Sequence, residues 1–251
     1  MKAALFLGLL FFADNALAWG LQTHVFLAGE ALAAAPAHPL LVYAGACLPD
    51  LSLAGAFLGT PAFRRAHLWS TLRRLAAAPR SDEERALAVG YATHLLADVV
   101  AHNAFVPEHE ERIARIPHFT HALAEWAMDK WVSPRLHAQP TEVLRANEKT
   151  IVRFVARHFR CGDALAARAV GWIAAADGWL RASPVPRICL ALLGARRFDG
   201  YLARAADNLG AMQAALDGRL VDWISSDPEG RRGEPAADRR AGKDVARVVQ
   251  S

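Results

Sequence analysis

The chain has 251 residues, of which 53% are hydrophobic and 22% charged, with a formal net charge of +4 and an isoelectric point near 9.2. This length and apolar content exclude a disordered chain, and they allow one domain with a substantial core or two small ones. The mild positive charge suits an anionic partner such as lipid head groups or nucleic acid, but it does not choose between them.

Residues 1–18 have the features of a signal peptide. Lys2 supplies the positive start, the apolar run from Ala3 to Phe12 is too short for a permanent membrane anchor, and Ala16-Leu17-Ala18 forms an A-x-A cleavage site. We therefore expect an exported protein, periplasmic or secreted, without a permanent transmembrane anchor. Its mature chain would begin at Trp19.

Apolar residues recur at helical spacing through most of the remaining chain, and no strand-like alternation persists. We predict helices at residues 20–34, 39–48, 61–78, 82–103, 118–132, 142–159, 163–182 and 197–224. Ser81 and Glu84 form a capping box before the fourth helix, and Thr141 is placed to cap the sixth. The expected fold is all-α, a multi-helix bundle over residues 19–225. The polar residues 226–251 are expected to form a disordered tail.

The chain contains three cysteines, and an odd number leaves at least one thiol unpaired. In an oxidising compartment Cys161 and Cys189 could form a bridge. Cys47 lies in an apolar run and is expected to be a buried thiol.

The fourth predicted helix carries His94, Asp98 and His102 at successive spacings of four residues. Each four-residue step turns about 400° and climbs ~6 Å, so the three side chains share one face of the helix. His94 and His102 then lie ~12 Å apart along the axis, which is too far for both to bind one ion. Because a carboxylate can bridge two metal ions, the spacing points to a multinuclear site with Asp98 in the middle.

A polar stripe facing solvent is the alternative interpretation of these residues. The neighbours of Asp98 argue against it, because the helix is apolar on nearly all sides and is therefore expected to be buried. A buried aspartate is costly unless it is paired or bound to a metal. His121 and Glu125 repeat the same spacing on the next predicted helix, although an isolated pair of this kind is equally compatible with a chance surface pair.

His24, the Pro49-Asp50 pair and His67 precede the fourth predicted helix. Each of them alone is more typical of a core or loop residue than of a metal ligand. Read with the others they form an ordered set: Trp19, His24, Pro49-Asp50, His67, His94, Asp98, His102, His121 and Glu125. This set resembles the zinc-dependent phospholipase C family, whose relatives include trinuclear zinc nucleases that prefer single strands. The resemblance extends from Trp19 to Lys130, about half of the mature chain.

The resemblance implies a role for each residue. The free α-amine and the carbonyl of Trp19 would bind one zinc ion together with His24 and Asp98. The other two ions would be held by two further sets: Asp50, His67, His94 and Asp98 in one, and His102, His121 and Glu125 in the other. Asp50 would also act as the general base that orients the attacking water.

His102 departs from the pattern of the best-known family members. There the corresponding histidine follows the bridging aspartate by six residues and lies past a loop proline. Here the gap is four residues, inside the predicted helix, and Pro107 comes later. His109 and His118 are therefore reserve candidates for the third ion.

The chemistry expected of such a site is phosphodiester hydrolysis. Histidine nitrogens and carboxylate oxygens without cysteine suit zinc, although manganese and iron also accept these ligands. Clustered cations lower the pKa of bound water towards ~7 and neutralise charge on phosphoryl oxygens, so no covalent intermediate is needed. The G-x-S-x-G elbow that would suggest such an intermediate is absent from the sequence.

Three functions remain open at this point. The glutamate at position 125 resembles the pattern of the phospholipases, whereas the nucleases usually carry aspartate there. This residue favours a phospholipase C-like enzyme that acts on phospholipid head groups at a membrane surface. A nuclease acting on single-stranded nucleic acid is the first alternative. A zinc-binding helical protein without strong catalysis is the second.

Overall fold

The structure is a computed structural model that describes residues 20–31, 37–77, 79–113 and 117–216. Throughout these ranges the regular structure is helical and includes no strand, which confirms the all-α prediction. The predicted signal peptide, Trp19 and the predicted tail at 226–251 lie outside the described residues.

Twelve α-helices follow one another within the described ranges. In chain order α1 to α12 are Leu21–Ala31, Pro39–Gly45, Leu51–Phe57, Trp69–Ala76, Asp82–Val100, Val106–Ile113, Pro117–Val132, Pro140–Ala146, Glu148–His158, Asp163–Ala182, Val185–Leu193 and Phe198–Leu216. Short 3-10 helices lie at Pro61–Phe63 and Ser133–Arg135, and a π-helical turn at Ala101–Phe105 joins α5 to α6.

The sequence prediction misses α3, α6 and α11. Each is only seven to nine residues long, so its apolar period does not stand out against its neighbours. In α6 and α11 the second residue is a proline, which sequence analysis treats as a break, although the first turn of a helix tolerates proline. The predicted helix at 61–78 is α-helical only over Trp69–Ala76, after the 3-10 helix at Pro61–Phe63.

Two other helix predictions are wrong for local reasons. The predicted helix at 142–159 is two helices, because Asn147 interrupts it and its side-chain amide donates to the carbonyl of Val143 at 3.0 Å. Thr141 does not cap α8. It lies inside the first turn, and its hydroxyl donates to the carboxylate of Asp177 on α10 at 2.8 Å.

The central helix is α5. It begins after Ser81, whose hydroxyl accepts a hydrogen bond from the amide of Glu84 at 3.3 Å, as the sequence predicts. Residues 90–102 are all buried, and α5 packs against α1, α2, α4 and α12. Because this stretch is enclosed on every side, its ionisable side chains must find partners inside the protein.

Two glycines bring α2 and α5 into close contact. A β-carbon at Gly45 would clash with the carbonyl of Leu87, and one at Gly90 would clash with the carbonyl of Val42. The two backbones can approach this closely only because both positions lack a side chain. The end of α2 is thereby placed beside His94, one turn after Gly90 on α5.

The three cysteines are free thiols, so the bridge between Cys161 and Cys189 that the sequence allows is not formed. Cys47 is buried, as its apolar surroundings predict. Within the described ranges, the helices are all too short or too polar to cross a membrane.

Candidate metal centre

Asp98 lies at the centre of a buried cluster of histidines and aspartates. Its Oδ1 atom is 3.3 Å from Nε2 of His24 on α1. Its Oδ2 atom is 3.3 Å from Nε2 of His67 and 3.0 Å from Nε2 of His94. The carboxylate thus presents one oxygen to His24 and the other to a pair of histidines, which is the arrangement that a bridging ligand needs.

Asp50 completes the side of the cluster formed by His67 and His94. Its Oδ1 atom lies 3.5 Å from Nε2 of His67 and 3.9 Å from Nε2 of His94. Asp50 immediately precedes α3, but its side chain does not cap that helix. Two triplets result, in each of which all ligand atoms lie within 4.8 Å of one another: His24, His94 and Asp98, and Asp50, His67 and His94.

Contacts through the opposite ring nitrogen orient these histidines. Nδ1 of His94 lies 2.7 Å from the carbonyl oxygen of Ala46 and donates to it, since a carbonyl can only accept. Nδ1 of His67 lies 3.1 Å from the hydroxyl of Ser52. Such bonds fix the tautomer and direct Nε2 towards a metal. The two Nε2 atoms converge to 3.0 Å, and the ring of His24 stacks on that of His94 with centroids 3.5 Å apart.

The cluster separates the protonation behaviour of its two carboxyl groups. Burial raises the pKa of Asp98, but the neighbouring His94 and His24 outweigh this effect and hold the pKa well below its ordinary value. Burial also raises the pKa of Asp50, and here it outweighs the opposing effect of His94 and His67. Without a bound cation, Asp98 therefore ionises more readily than Asp50.

His102, His121 and Glu125 form a second, looser group. Nε2 of His121 lies 3.0 Å from Oε1 of Glu125, one turn along α7, and the ring centroids of His102 and His121 are 5.2 Å apart. These three described residues do not meet the 4.8 Å spacing of the first two triplets. Burial raises the pKa of Glu125 well above its ordinary value and lowers the pKa of His102 to about 3.

His102 lies in the π-helical turn at Ala101–Phe105. The prediction of one α-helix over 82–103 is therefore wrong past Val100. A π turn changes the direction of the side chains that follow it relative to an α-helix, and such turns are frequent at functional sites. Here it places the ring of His102 beside His121 on α7.

The donor atoms of both groups fit a set of zinc ions. Among the described residues, no hydrogen bond reaches the carboxylate oxygens of Asp98 or Glu125, the ring nitrogens of His24, or Nε2 of His102. The close approaches between histidine and carboxylate in the cluster therefore lack hydrogen-bond geometry. Buried polar atoms without partners are costly, and nitrogen and oxygen donors of these types are ligands that zinc accepts.

The remaining candidates are Trp19, His118 and His109. Trp19 is outside the described residues, and so is the side chain of His118. His109 is buried, but its Nδ1 donates to the carbonyl of Phe105 at 2.7 Å and its ring packs near Tyr201 of α12. His109 belongs to neither group of ligand atoms.

Asp129 is a buried residue that the sequence analysis overlooks. Its Oδ1 atom accepts hydrogen bonds from the backbone amide of Thr23 at 2.9 Å and from the Thr23 hydroxyl at 2.7 Å. Asp129, on α7, thereby holds the start of α1, the helix that carries His24. Burial raises its pKa to about 7. A signal was present in the sequence, since His121, Glu125 and Asp129 repeat the four-residue spacing of the first motif.

Comparison with known proteins places these residues within one family. The family model for zinc dependent phospholipase C matches residues 23–172, more than half of the chain. The match includes every described residue of both groups and continues past Lys130, where the resemblance in the sequence ends, into α10. No curated protein and no solved structure matches the chain. The chain belongs to the zinc-dependent phospholipase C family.

Proposed function

We propose that the protein is an exported, zinc-dependent phosphodiester hydrolase that cleaves phospholipid head groups in the manner of a phospholipase C. The observation that carries the proposal is the position of Asp98, between His24 on one side and the pair of His67 and His94 on the other. A carboxylate with nitrogen donors at both oxygens is suited to join two adjacent cations. Membership of the family supports zinc as the metal and phospholipid as the substrate.

The proposed site holds up to three zinc ions. By ion, the proposed ligands are Trp19, His24 and Asp98; Asp50, His67, His94 and Asp98; and His102, His121 and Glu125. When bound, zinc supplies Lewis acidity that neutralises charge on phosphoryl oxygens and lowers the pKa of water.

Asp50 is the proposed general base. By the resemblance to the family, its carboxylate would bind zinc and also orient the attacking water and take its proton. Asp98 would stay ionised, since its pKa is held low by the histidines around it. Asp98 would thus serve only as a ligand between two cations, whereas Asp50 would serve both as a zinc ligand and as the base.

We propose that the phosphodiester approaches from the side of His121. The His121 side chain is 18% exposed, whereas Asp98 and Glu125 are almost inaccessible. Substrate entering at the first turns of α7 would meet His121 before it reaches the Asp98 cluster.

Export and the choice of phospholipid are the two parts of the proposal that depend on sequence. Export rests on Lys2, the apolar run after it and the cleavage site at Ala16-Leu17-Ala18. The choice of phospholipid rather than nucleic acid as the substrate rests on Glu125, because the phospholipases of the superfamily carry glutamate at this position.

The test is an assay of the mature chain, beginning at Trp19, on phosphatidylcholine, phosphatidylinositol and single-stranded DNA. Each assay is run with and without a chelator and again after zinc is added back. We expect release of phosphorylated head groups that the chelator abolishes and zinc restores. Preferential cleavage of DNA would identify a nuclease instead, and zinc binding without any hydrolysis would identify a zinc-binding protein.

A further inference from the structure

We propose that the outer face of α11 docks the protein onto an anionic phospholipid surface. This helix, Val185–Leu193, is apolar except for Arg187. Its inner side buries Pro186 and Cys189, and the helix packs mainly against α7. On its outer side Ile188 and Leu192 remain 54% and 71% exposed.

The exposed residues of α11 form one strip. At about 100° per residue, four of them fall within an arc of about 140°: Arg187, Ala191, Ile188 and Leu192. A single exposed leucine is common on protein surfaces and needs no explanation. Two large aliphatic side chains one turn apart, on a helix whose inner side is also apolar, form a patch that favours a partner over water.

The charge of the surrounding segment selects an anionic partner. Between Asp177 and Asp199 the chain has no acidic residue and four arginines: Arg181, Arg187, Arg196 and Arg197. Arg197 pairs with Glu108 at 2.9 Å. Arg187 and Arg196 are exposed, and neither forms an ion pair with a residue that the structure describes. An anionic surface would therefore find two guanidinium groups that have no ion-pair partner among the described residues: Arg187 on the strip and Arg196 three residues after the end of α11.

An aliphatic strip edged by cations is typical of helices that lie in the plane of a membrane interface. Leucine and isoleucine enter the boundary of the acyl chains, while long arginine side chains keep their charge at the head groups. Because α11 lies against α7, which carries His121 and Glu125, a membrane on this face would be one helix layer from the candidate metal centre. The inference rests on the proposed function for its biological sense, but docking can be measured without catalysis.

The test compares vesicle binding by the mature wild-type chain, the double variant Ile188→Ser with Leu192→Ser, and Leu40→Ser. Leu40, on α2, is 46% exposed and serves as a matched control for removing an exposed leucine. Sedimentation is measured with vesicles of phosphatidylcholine alone and with vesicles containing phosphatidylglycerol. A fourth protein, Arg187→Gln with Arg196→Gln, tests the charge.

We expect the wild type and Leu40→Ser to sediment with the anionic vesicles. The aliphatic double variant should bind them at least tenfold more weakly, and the arginine variant should lose the preference for anionic lipid. Equal binding by the aliphatic variant and the wild type, or no binding by the wild type, would overturn the proposal. A wild type that is dimeric in light scattering, with a monomeric aliphatic variant, would also overturn it, since the occupant of the face would be a second copy.

Hydrolysis of a short-chain, water-soluble phosphatidylcholine separates this inference from the proposed function. All four proteins should hydrolyse this substrate equally, because it needs no surface. Vesicle binding without hydrolysis of either substrate would leave the docking face standing and reject the proposed enzyme. Hydrolysis without vesicle binding would do the reverse.

Discussion

The two halves of the candidate metal centre differ in how closely the protein itself assembles them. Around Asp98, three histidine nitrogens lie within 3.3 Å of the carboxylate, and two of those rings are held from behind by Ala46 and Ser52. In the second half, one nitrogen lies 3.0 Å from Glu125, while the ring of His102 is 5.2 Å from that of His121.

The difference follows from the elements that supply each half. The Asp98 cluster is built in the core, where α1 and α5 carry His24, His94 and Asp98, and the segments before α3 and α4 supply Asp50 and His67. The second half depends on a π turn and on the first turns of α7. Preformed ligand sets lose less conformational freedom when they bind. We therefore expect the first half to bind zinc more tightly and a chelator to remove the metal of the second half first.

The largest effect is expected from Asp98→Asn. This substitution changes the proposed shared ligand of two ions in the more closely assembled half of the centre. An amide is a poor bridge between cations, so metal should be lost from both sides of the cluster. Activity should fall by more than about 100-fold, beyond the range seen when residues that merely support a ligand are changed. Any single change of histidine to alanine should cost less. Zinc content and hydrolysis rate of the purified variants are the measurements.

Asp177→Asn provides the matched control for Asp98→Asn. Asp177 is also a buried aspartate, but it accepts a hydrogen bond from Thr141 and lies outside both ligand groups. The control should keep its full zinc content. Full zinc occupancy and normal hydrolysis in Asp98→Asn itself would reject the bridging role.

The second effect concerns Trp19, the proposed ligand outside the described residues. A free α-amine has an ordinary pKa near 8 and binds metal only in its neutral form, whereas an amide nitrogen is a poor donor. One extra residue, such as methionine before Trp19, should therefore remove one of the three proposed zinc ions and reduce activity by about 10- to 100-fold. Metal analysis and turnover of the trimmed and extended chains measure this. Equal values would mean that Trp19 binds no metal.

The third effect tests the looser half with a pair of histidines. His102→Ala should lose the third zinc ion and about 10-fold in activity, because its π turn directs it to His121. His109→Ala, the control, should keep the zinc content, since His109 already donates to the carbonyl of Phe105. The opposite ranking would move the third ion to the reserve candidate. A stepwise chelator titration should show that His102→Ala lacks the weakest step.

The sequence predicts the part of this arrangement that depends on helical period, and little that depends on packing. His94 and Asp98 do share a buried face of α5, as their spacing indicates. The α-helical period ends at Val100. The π turn that follows is not indicated by any residue type or spacing, so the direction of the His102 side chain could not be predicted.

The groups that hydrogen-bond to the ligand histidines could not be predicted from the sequence, for a different reason. Every residue has a carbonyl, so nothing in the sequence singles out Ala46 as the partner of His94. Its position follows from the close contact of Gly45 and Gly90, which is a property of two helices that meet in space. The all-α class was predictable because it needs only the dominant period, whereas the bounds of the short helices were not.

The smallest effect is expected from a change at Asp129. This residue links the two halves of the candidate metal centre, because it lies on α7 and holds the start of α1 through Thr23. In Asp129→Asn, one carboxylate oxygen is replaced by an NH₂ group that can no longer accept the amide of Gln22. We expect a loss of ~1 kcal/mol in the free energy of unfolding at pH 5, the usual value of one hydrogen bond.

The pH dependence of this loss identifies its cause. Burial raises the pKa of Asp129 to about 7, above its value of 3.8 in the unfolded chain, so the folded protein holds the proton more tightly. Asp129 therefore contributes stability that declines as the pH rises from about 4 to 7 and is constant above that range. Asparagine cannot titrate, so the stability advantage of the wild type over Asp129→Asn should fall across the same interval and reverse before pH 7, because a difference of about three pKa units outweighs one hydrogen bond. Denaturant unfolding of both chelator-treated proteins at pH 5, 6, 7 and 8 measures it. An advantage that stays the same at all four values would show that Asp129 does not titrate in this range and that Thr23 is held by a carboxylate already ionised at pH 5.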